Sequence, residues 1–249
     1  MLTDEMLLRY SRQILLADVD IEGQEKLSAA SVLIIGAGGL GNPAALYLAG
    51  AGVKRILLVD GDTLDVTNLH RQIAFRDAQT GASKAQALAQ QLRELNPLVD
   101  VQAFEQFADR TLLDQLLPQV SVVLDCTDNF ATRSLINAAC VAHRVALVSG
   151  AAIRLEGQLA VFDLRRADAA CYACLYGEGD APDELCSQSG VLGPVVGTIG
   201  TLQALETIKL LCGFEVQQLL HQFDGKTLSW KQLAFRRDPA CPVCASPHP

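Results

Sequence analysis

The sequence predicts an α/β fold, a mostly parallel sheet flanked by helices, with an antiparallel strand region toward the C-terminus. Three observations predict it. Short apolar runs alternate with helical patterns through the first 150 residues, as expected of strands buried on both faces and joined by right-handed crossovers. Beyond residue 153 this alternation gives way to strand-like segments separated by turns. Two pairs of cysteines, each with a two-residue gap, fall within that last third.

Residues 4–17 open the chain as a helix, with Leu7, Tyr10, Ile14 and Leu15 at helical spacing. Residues 32–35 form the first buried strand, and Gly36-Ala37-Gly38-Gly39-Leu40-Gly41 leads from it into an Ala/Leu-rich helix ending near residue 49. The next strand, 56–59, ends at Asp60. A helix over 83–95 takes Ser83 as its N-cap and is stopped by Asn96-Pro97. A strand at 99–104, a helix at 110–117, a buried strand at 120–125, a helix at 131–142 and a strand at 145–149 complete the alternation. Residues 158–163 alternate as an antiparallel strand does. Residues 176–190 are rich in Gly, Pro and acidic side chains and read as a loop. A helix over 201–212 ends at Gly213, and 219–223 and 229–235 read as a pair of strands. No internal repeat is present.

Composition narrows the function. Half of the 249 residues are apolar, ample for a core. A net charge of −8 without a Lys/Arg cluster argues against a nucleic-acid partner, because a phosphate backbone needs clustered cations. The acidic start, Met1-Leu2-Thr3-Asp4-Glu5, lacks the basic flank and apolar run of a signal peptide. The apolar runs are too short, or too interrupted by Gly, to span a bilayer, so no membrane role and a cytoplasmic location are expected. In that compartment the eight cysteines read as metal ligands, nucleophiles or core residues more readily than as disulfides.

The run Gly36-x-Gly38-x-x-Gly41 is weak by itself, since such a turn also serves close helix–sheet packing. Its context is stronger: it follows a buried strand, opens a helix, and precedes an acidic residue, Asp60, at the end of the next strand. This Rossmann-like arrangement lets backbone approach a phosphate at a helix N-terminus, with Asp60 accepting from ribose hydroxyls. Alone it suggests a dinucleotide and an NAD-dependent oxidoreductase. Asp62, Asn68, Arg71 and Lys84 follow closely, however, and a lysine in the first turn of a helix opposes the helix dipole unless an anion is near. Lys84 can equally snorkel into solvent. Arg71 is a forked donor suited to phosphate. Asp128, in Asp125-Cys126-Thr127-Asp128-Asn129 after a buried strand, faces the crevice and suits Mg²⁺ beside a triphosphate; the alternative is that Asp128 or Asn129 merely caps the next helix.

Together Arg9-Tyr10-Ser11-Arg12-Gln13, the glycine run, Thr67-Asn68-Leu69-His70-Arg71-Gln72 and Asp125-Cys126-Thr127-Asp128-Asn129 resemble the ThiF/MoeB family of sulfur-carrier-protein adenylyltransferases, relatives of ubiquitin-activating enzymes. The resemblance covers nearly the whole chain. It implies ATP-dependent adenylation of the C-terminal Gly-Gly carboxylate of a ubiquitin-like carrier, releasing pyrophosphate. It implies that Gly39, Asp60, Asp62, Thr67, Asn68, Leu69, His70, Arg71, Lys84, Asp128 and Asn129 surround ATP, with Asp128 holding Mg²⁺. Arg12 matches an arginine that reaches into a neighbouring subunit's site, so a homodimer is expected. On this reading residues 1–249 form one domain: a helical arm (1–30), a nucleotide-binding core (31–150) and a zinc-bearing, carrier-binding portion (151–249).

Cys171-Tyr-Ala-Cys174 and Cys241-Pro-Val-Cys244 have the spacing of a structural Cys₄ zinc site. Cys186, in the polar loop, matches a cysteine that links covalently to the carrier in some relatives, or is simply a tolerated loop cysteine. Cys126, Cys140 and Cys212 read as core residues. The 147–158 segment looks more like the molybdopterin-synthase branch, whereas Phe223-Asp224-Gly225-Lys226 and Cys241-Pro242-Val243-Cys244 look more like the thiamine branch. The molybdopterin carrier is placed first and the thiamine carrier second. With no room after Cys244 for a sulfurtransferase domain, a separate sulfur donor is expected.

Overall fold

The computed structural model describes residues 1–177 and 189–245. Its elements, in order, are α1 (Asp4–Arg9), α2 (Ser11–Ile14), α3 (Asp20–Leu27), β1 (Ser31–Ile35), α4 (Gly41–Gly50), β2 (Arg55–Val59), α5 (Lys84–Leu95), β3 (Asp100–Phe104), α6 (Arg110–Leu116), β4 (Val122–Asp125) and α7 (Phe130–His143). They continue with β5 (Ala146–Ile153), β6 (Glu156–Phe162), α8 (Tyr172–Tyr176), α9 (Gly193–Cys212), β7 (Leu219–Asp224) and β8 (Ser229–Ala234).

The described strands form one sheet in the order β3-β2-β1-β4-β5-β6-β7-β8. The first five in that order are parallel, and β6, β7 and β8 are added antiparallel. Side chains alternate across β1 and β2. Val32, Ile34, Ile56 and Leu58 join one core under α4, α5 and α9, while Leu33, Ile35, Leu57 and Val59 join the other under α6 and α7. That second core runs on to Phe162, Cys171 and Cys241. Strands buried on both faces cannot alternate apolar with polar, which is why they read as continuous apolar runs.

The structure differs from the sequence reading in four places. The expected helix over 4–17 is two short helices broken at Tyr10, and α3 follows as a further helix. Tyr10 is buried, lies against Gly52 where any Cβ would clash, and accepts a 2.9 Å hydrogen bond from Asn96 Nδ2. The helix expected over 201–212 begins eight residues earlier, at Gly193. Gly197 and Gly200 discourage a helical reading, but Gly200 is where α9 crosses α4, and a Cβ there would strike the Leu40 carbonyl. At 20 residues α9 is also long and apolar enough to cross a bilayer, contrary to the expectation from interrupted apolar runs. Over half of that apolar window is buried inside the protein, so its apolarity serves the core. Finally, β5 outlasts the parallel sheet and turns into a hairpin with β6.

Gln203, fully buried near the middle of α9, ties these parts together. Its Nε2 donates to Asp125 O (2.7 Å) and Val148 O (3.1 Å), pinning the ends of β4 and β5. Gly150 accommodates it, since a Cβ there would lie 2.5 Å from the carboxamide. Gln203→Leu should therefore cost about 2 kcal/mol or more by stranding two buried carbonyls, measurable by denaturant unfolding.

Candidate functional site

A cleft of about 1110 Å³ lies beyond the carboxyl ends of β1, β2, β4 and β5. Strand order reverses between β1 and β4, and the loops leaving these strands diverge there to open a crevice. The glycine run forms its floor. Gly36 has φ +97°, and a Cβ on it would sit 2.6 Å from Cys126 O. A Cβ on Gly41 would strike the Gly36 carbonyl, and one on Gly39 would meet Val196 Cγ1 at 2.6 Å. Gly38 differs, because its Cβ would meet nothing nearer than Gln72 Nε2 at 3.7 Å. Packing and backbone conformation require the other three glycines; at Gly38 the missing side chain leaves cleft space. That is a cradle a bound group can occupy at the N-terminus of α4.

Asp60, Asp62, His70, Arg71, Lys84, Asp128 and Asn129 line this cleft with Gly38 and Gly39. Asp60 Oδ2 accepts from Ala37 N (2.7 Å) and Oδ1 from Asp62 N (2.8 Å), which fixes the carboxylate at the mouth of the glycine turn. Burial pushes its pKa up, opposed by these two N–H groups and by Lys84. Lys84 is buried rather than snorkelling, and its Nζ pairs with Asp62 Oδ2 at 2.7 Å. Arg71 donates to Thr67 O (3.0 Å) and contacts His70 Nε2 (2.9 Å). Both cations line the same cleft.

At the end of β4, Asp125 is almost wholly buried. Its carboxylate accepts from Thr127 N (3.1 Å), Thr127 Oγ1 (2.6 Å) and Ser149 Oγ (2.9 Å). Asn129 is the N-cap of α7, accepting from Thr132 N at 2.8 Å. Of the two candidate caps Asn129 therefore does the capping, and Asp128 stands exposed at the cleft between held neighbours.

Three positions expected around ATP, Thr67, Asn68 and Leu69, do not line the cleft. Thr67 Oγ1 donates to Asp65 Oδ1 (2.6 Å), Asn68 Oδ1 accepts from Asp65 N (3.2 Å) in a capping box, and Leu69 packs on the core. Arg12 lies exposed on α2. Cys186 lies outside the described residues. Conversely, Arg133, Phe107, Tyr172, Tyr176 and Gln72 line the cleft without being singled out in the sequence. Arg133 had a readable signal: it shares a helical face with Ile136, Asn137 and Cys140, all buried, where an arginine needs partners. Among the described residues Gln72 Oε1 is buried without a hydrogen-bond partner.

The four paired cysteines meet. Their sulfurs lie within 4.8 Å of one another, with Cys171–Cys174 at 3.9 Å, Cys171–Cys241 at 3.7 Å and Cys174–Cys244 at 3.4 Å. Those separations are far beyond a disulfide and near the roughly 3.8 Å edge of a tetrahedron built on a metal–sulfur bond of about 2.3 Å. Asn137 Nδ2 and Asp238 N donate to two of the sulfurs, as outer partners of a metal thiolate do. The cluster can hold a metal ion. Cys126 and Cys140 are buried, and burial pushes both thiols well up, which makes them inert core residues.

The ThiF family model matches residues 10–243. The chain is 48% identical over 244 residues to the sulfur carrier protein ThiS adenylyltransferase of Escherichia coli, covering 98% of this chain and 97% of that protein. It is 42% identical over 248 residues to the molybdopterin-synthase adenylyltransferase of Salmonella typhimurium, covering 98% of each. Over 250 residues it is 44% identical to the adenylyltransferase and sulfurtransferase MOCS3 of Anopheles gambiae, covering 98% of this chain but 56% of that protein. Among solved structures, E. coli MccB with ATP superposes with a TM-score of 0.83 at 24% identity, covering 95% of this chain and 73% of that one; this likeness concerns the fold.

The differing roles of the glycines are testable. Gly38→Ala should fold with near-normal thermal stability yet bind ATP more weakly, whereas Gly36→Ala should lower stability by about 1–3 kcal/mol through its left-handed backbone. Equal thermal stability of the two variants would contradict this assignment.

Proposed function

The chain belongs to the ThiF family, and from that premise we propose that the cleft adenylates the C-terminal Gly-Gly carboxylate of a ubiquitin-like sulfur-carrier protein, using ATP. The chain is an adenylyltransferase. The carrier carboxylate attacks the α-phosphate, the bond to the β-phosphate breaks, and an acyl-adenylate and pyrophosphate result. The observation that carries the reading is the set of groups sharing one cleft: a glycine cradle, two cations and an exposed carboxylate.

The roles follow from the chemistry. Attack of one anion on another needs positive charge near the phosphates before the transition state and more as charge shifts to the leaving pyrophosphate. Arg71 and Lys84 supply it. Lys84 is held by Asp62, so it is positioned without being lost to solvent. Asp60 receives the ribose hydroxyls with the lone pairs that Ala37 N and Asp62 N leave open. Gly39, His70 and Asn129 contribute cleft wall. Thr67, Asn68 and Leu69 act from behind it by shaping the short turn that presents Arg71. Asp128, exposed at the cleft, would hold Mg²⁺ with its carboxylate. Bound there, the ion would neutralise phosphate oxygens.

The same reading assigns zinc to the four cysteines as a structural ion, since four sulfur donors leave no open position. It includes a homodimer with Arg12 acting across the interface, a separate sulfur donor, a cytoplasmic location and a covalent role for Cys186. The molybdopterin-synthase small subunit and the thiamine-pathway carrier both fit the reaction. The higher identity to the ThiS enzyme favours the second reading.

Purified protein should catalyse ATP–pyrophosphate exchange only with a Gly-Gly carrier, and side-by-side assays with the two carriers identify the substrate. Absence of exchange with both would sink the proposal. Asp128→Asn should reduce exchange by about 100-fold or more with little effect on stability, because no hydrogen bond of the described residues depends on its side chain. Metal analysis should give about one equivalent of zinc per chain, and its removal should lower the melting temperature. Protein purified without chelators carrying under half an equivalent would count against the zinc assignment.

A further inference from the structure

Among the described residues Asp128 makes no side-chain hydrogen bond or ion pair, and its neighbours are the groups that place it. Thr127, immediately before it, is held at three atoms. Its N–H and Oγ1 donate to Asp125 Oδ1, and its carbonyl accepts from Arg133 NH2. Asn129, immediately after it, is locked as the cap of α7. Arg133 sits one turn into that helix, nine-tenths buried, with NH1 3.7 Å from Asp125 Oδ2. Its guanidinium also interacts with the Tyr172 side chain. Tyr172 follows Cys171 directly, and its backbone N–H donates to Asn137 Oδ1 (2.9 Å), while Asn137 Nδ2 donates to Cys171 Sγ (3.6 Å). One arginine therefore spans the gap between the thiolate cluster and the turn that presents Asp128.

We propose that Arg133 is the positioning residue for Asp128: clamped by Tyr172 of the four-cysteine knuckle, it fixes the Thr127 carbonyl and so the angle at which Asp128 enters the cleft. The inference builds on the adenylation reading, in which Asp128 serves the phosphates. A planar guanidinium can serve the Thr127 carbonyl, the Asp125 carboxylate and the Tyr172 hydroxyl together; an ammonium on a flexible stem cannot hold all three directions. Arg133 also neutralises Asp125, whose buried charge would otherwise face the same phosphates as Asp128. The proposal gives the cysteine knuckle a consequence at the cleft, since whatever orders Cys171 and α8 also orders Tyr172 against Arg133.

The test compares Arg133→Lys, which keeps the charge, with Tyr172→Phe, which removes only the hydroxyl. Metal content and melting temperature establish that each variant is folded and its knuckle intact. Arg133→Lys should lower kcat for carrier-dependent exchange by about 10- to 100-fold and raise the Mg²⁺ concentration needed for half-maximal rate, with KM for ATP changed less than about threefold. Backbone amide exchange at residues 127–129 should quicken in the same variant. Tyr172→Phe should move each quantity the same way by less, and the double variant should fall short of the sum of the two effects. Wild-type amide protection at 127–129 in a folded, metal-loaded Arg133→Lys protein would overturn the inference. So would unchanged kcat and Mg²⁺ dependence. If the wild-type enzyme exchanges nothing, the adenylation reading fails by itself, and the amide-exchange comparison still decides whether Arg133 holds the turn.

Discussion

The structure turns on the buried carboxylate at the end of β4. Asp125 sits where the strand order reverses, and a charge in that position persists only if every lone pair is answered. Thr127 answers from the following turn, Ser149 from β5 and Arg133 from α7, while Gln203 of α9 holds the Asp125 carbonyl. The following turn, α7, β5 and α9 thus meet at one residue. The cost of leaving any of these groups unpaired in the interior fixes the geometry of the cleft wall.

That arrangement separates stability from chemistry. The groups that hold the cleft together, Asp125, Gln203, Asn129 and Ser149, have their hydrogen-bonding capacity engaged. Among the described residues Asp128 is held through the backbone on either side, and its carboxylate is exposed at the cleft. Lys84 and Asp62 follow a related logic. A buried ammonium at a helix N-terminus is unfavourable by itself, and the Asp62 carboxylate both offsets that cost and points the charge along the cleft wall. The partly exposed pair adds little to stability, and its value lies in position.

The cysteine knuckle belongs to this scheme through α8. The helix that carries Cys174 also presents Tyr172 and Tyr176, whose stacked rings, 4.4 Å apart, line the far end of the cleft. Tyr176 donates to Gln158 Oε1 at 2.8 Å, tying that wall to β6. The antiparallel extension of the sheet and the knuckle together build the half of the cleft away from the glycine turn.

Most of the fold was legible in the sequence, because strands buried on both faces and helices with one buried face leave periodic apolar signatures. The glycine turn, Asp60, the capping residue Ser83 and the paired cysteines could also be read, since each reflects a local demand: a tight turn, an N-terminal hydrogen bond, a two-residue ligand gap. What the sequence could not determine was how long-range packing divides the labour. Only the tertiary structure separated Gly38 from its neighbours, gave the cap to Asn129 rather than Asp128, buried Lys84 against Asp62, and kept α9 helical through Gly197 and Gly200. For Arg133 the buried helical face was readable, but what the side chain binds was not. Its partners Thr127, Asp125 and Tyr172 come together only when β4, α7 and the knuckle pack, and hydrogen-bond satisfaction in a buried interior is a property of that packing rather than of any local stretch of chain.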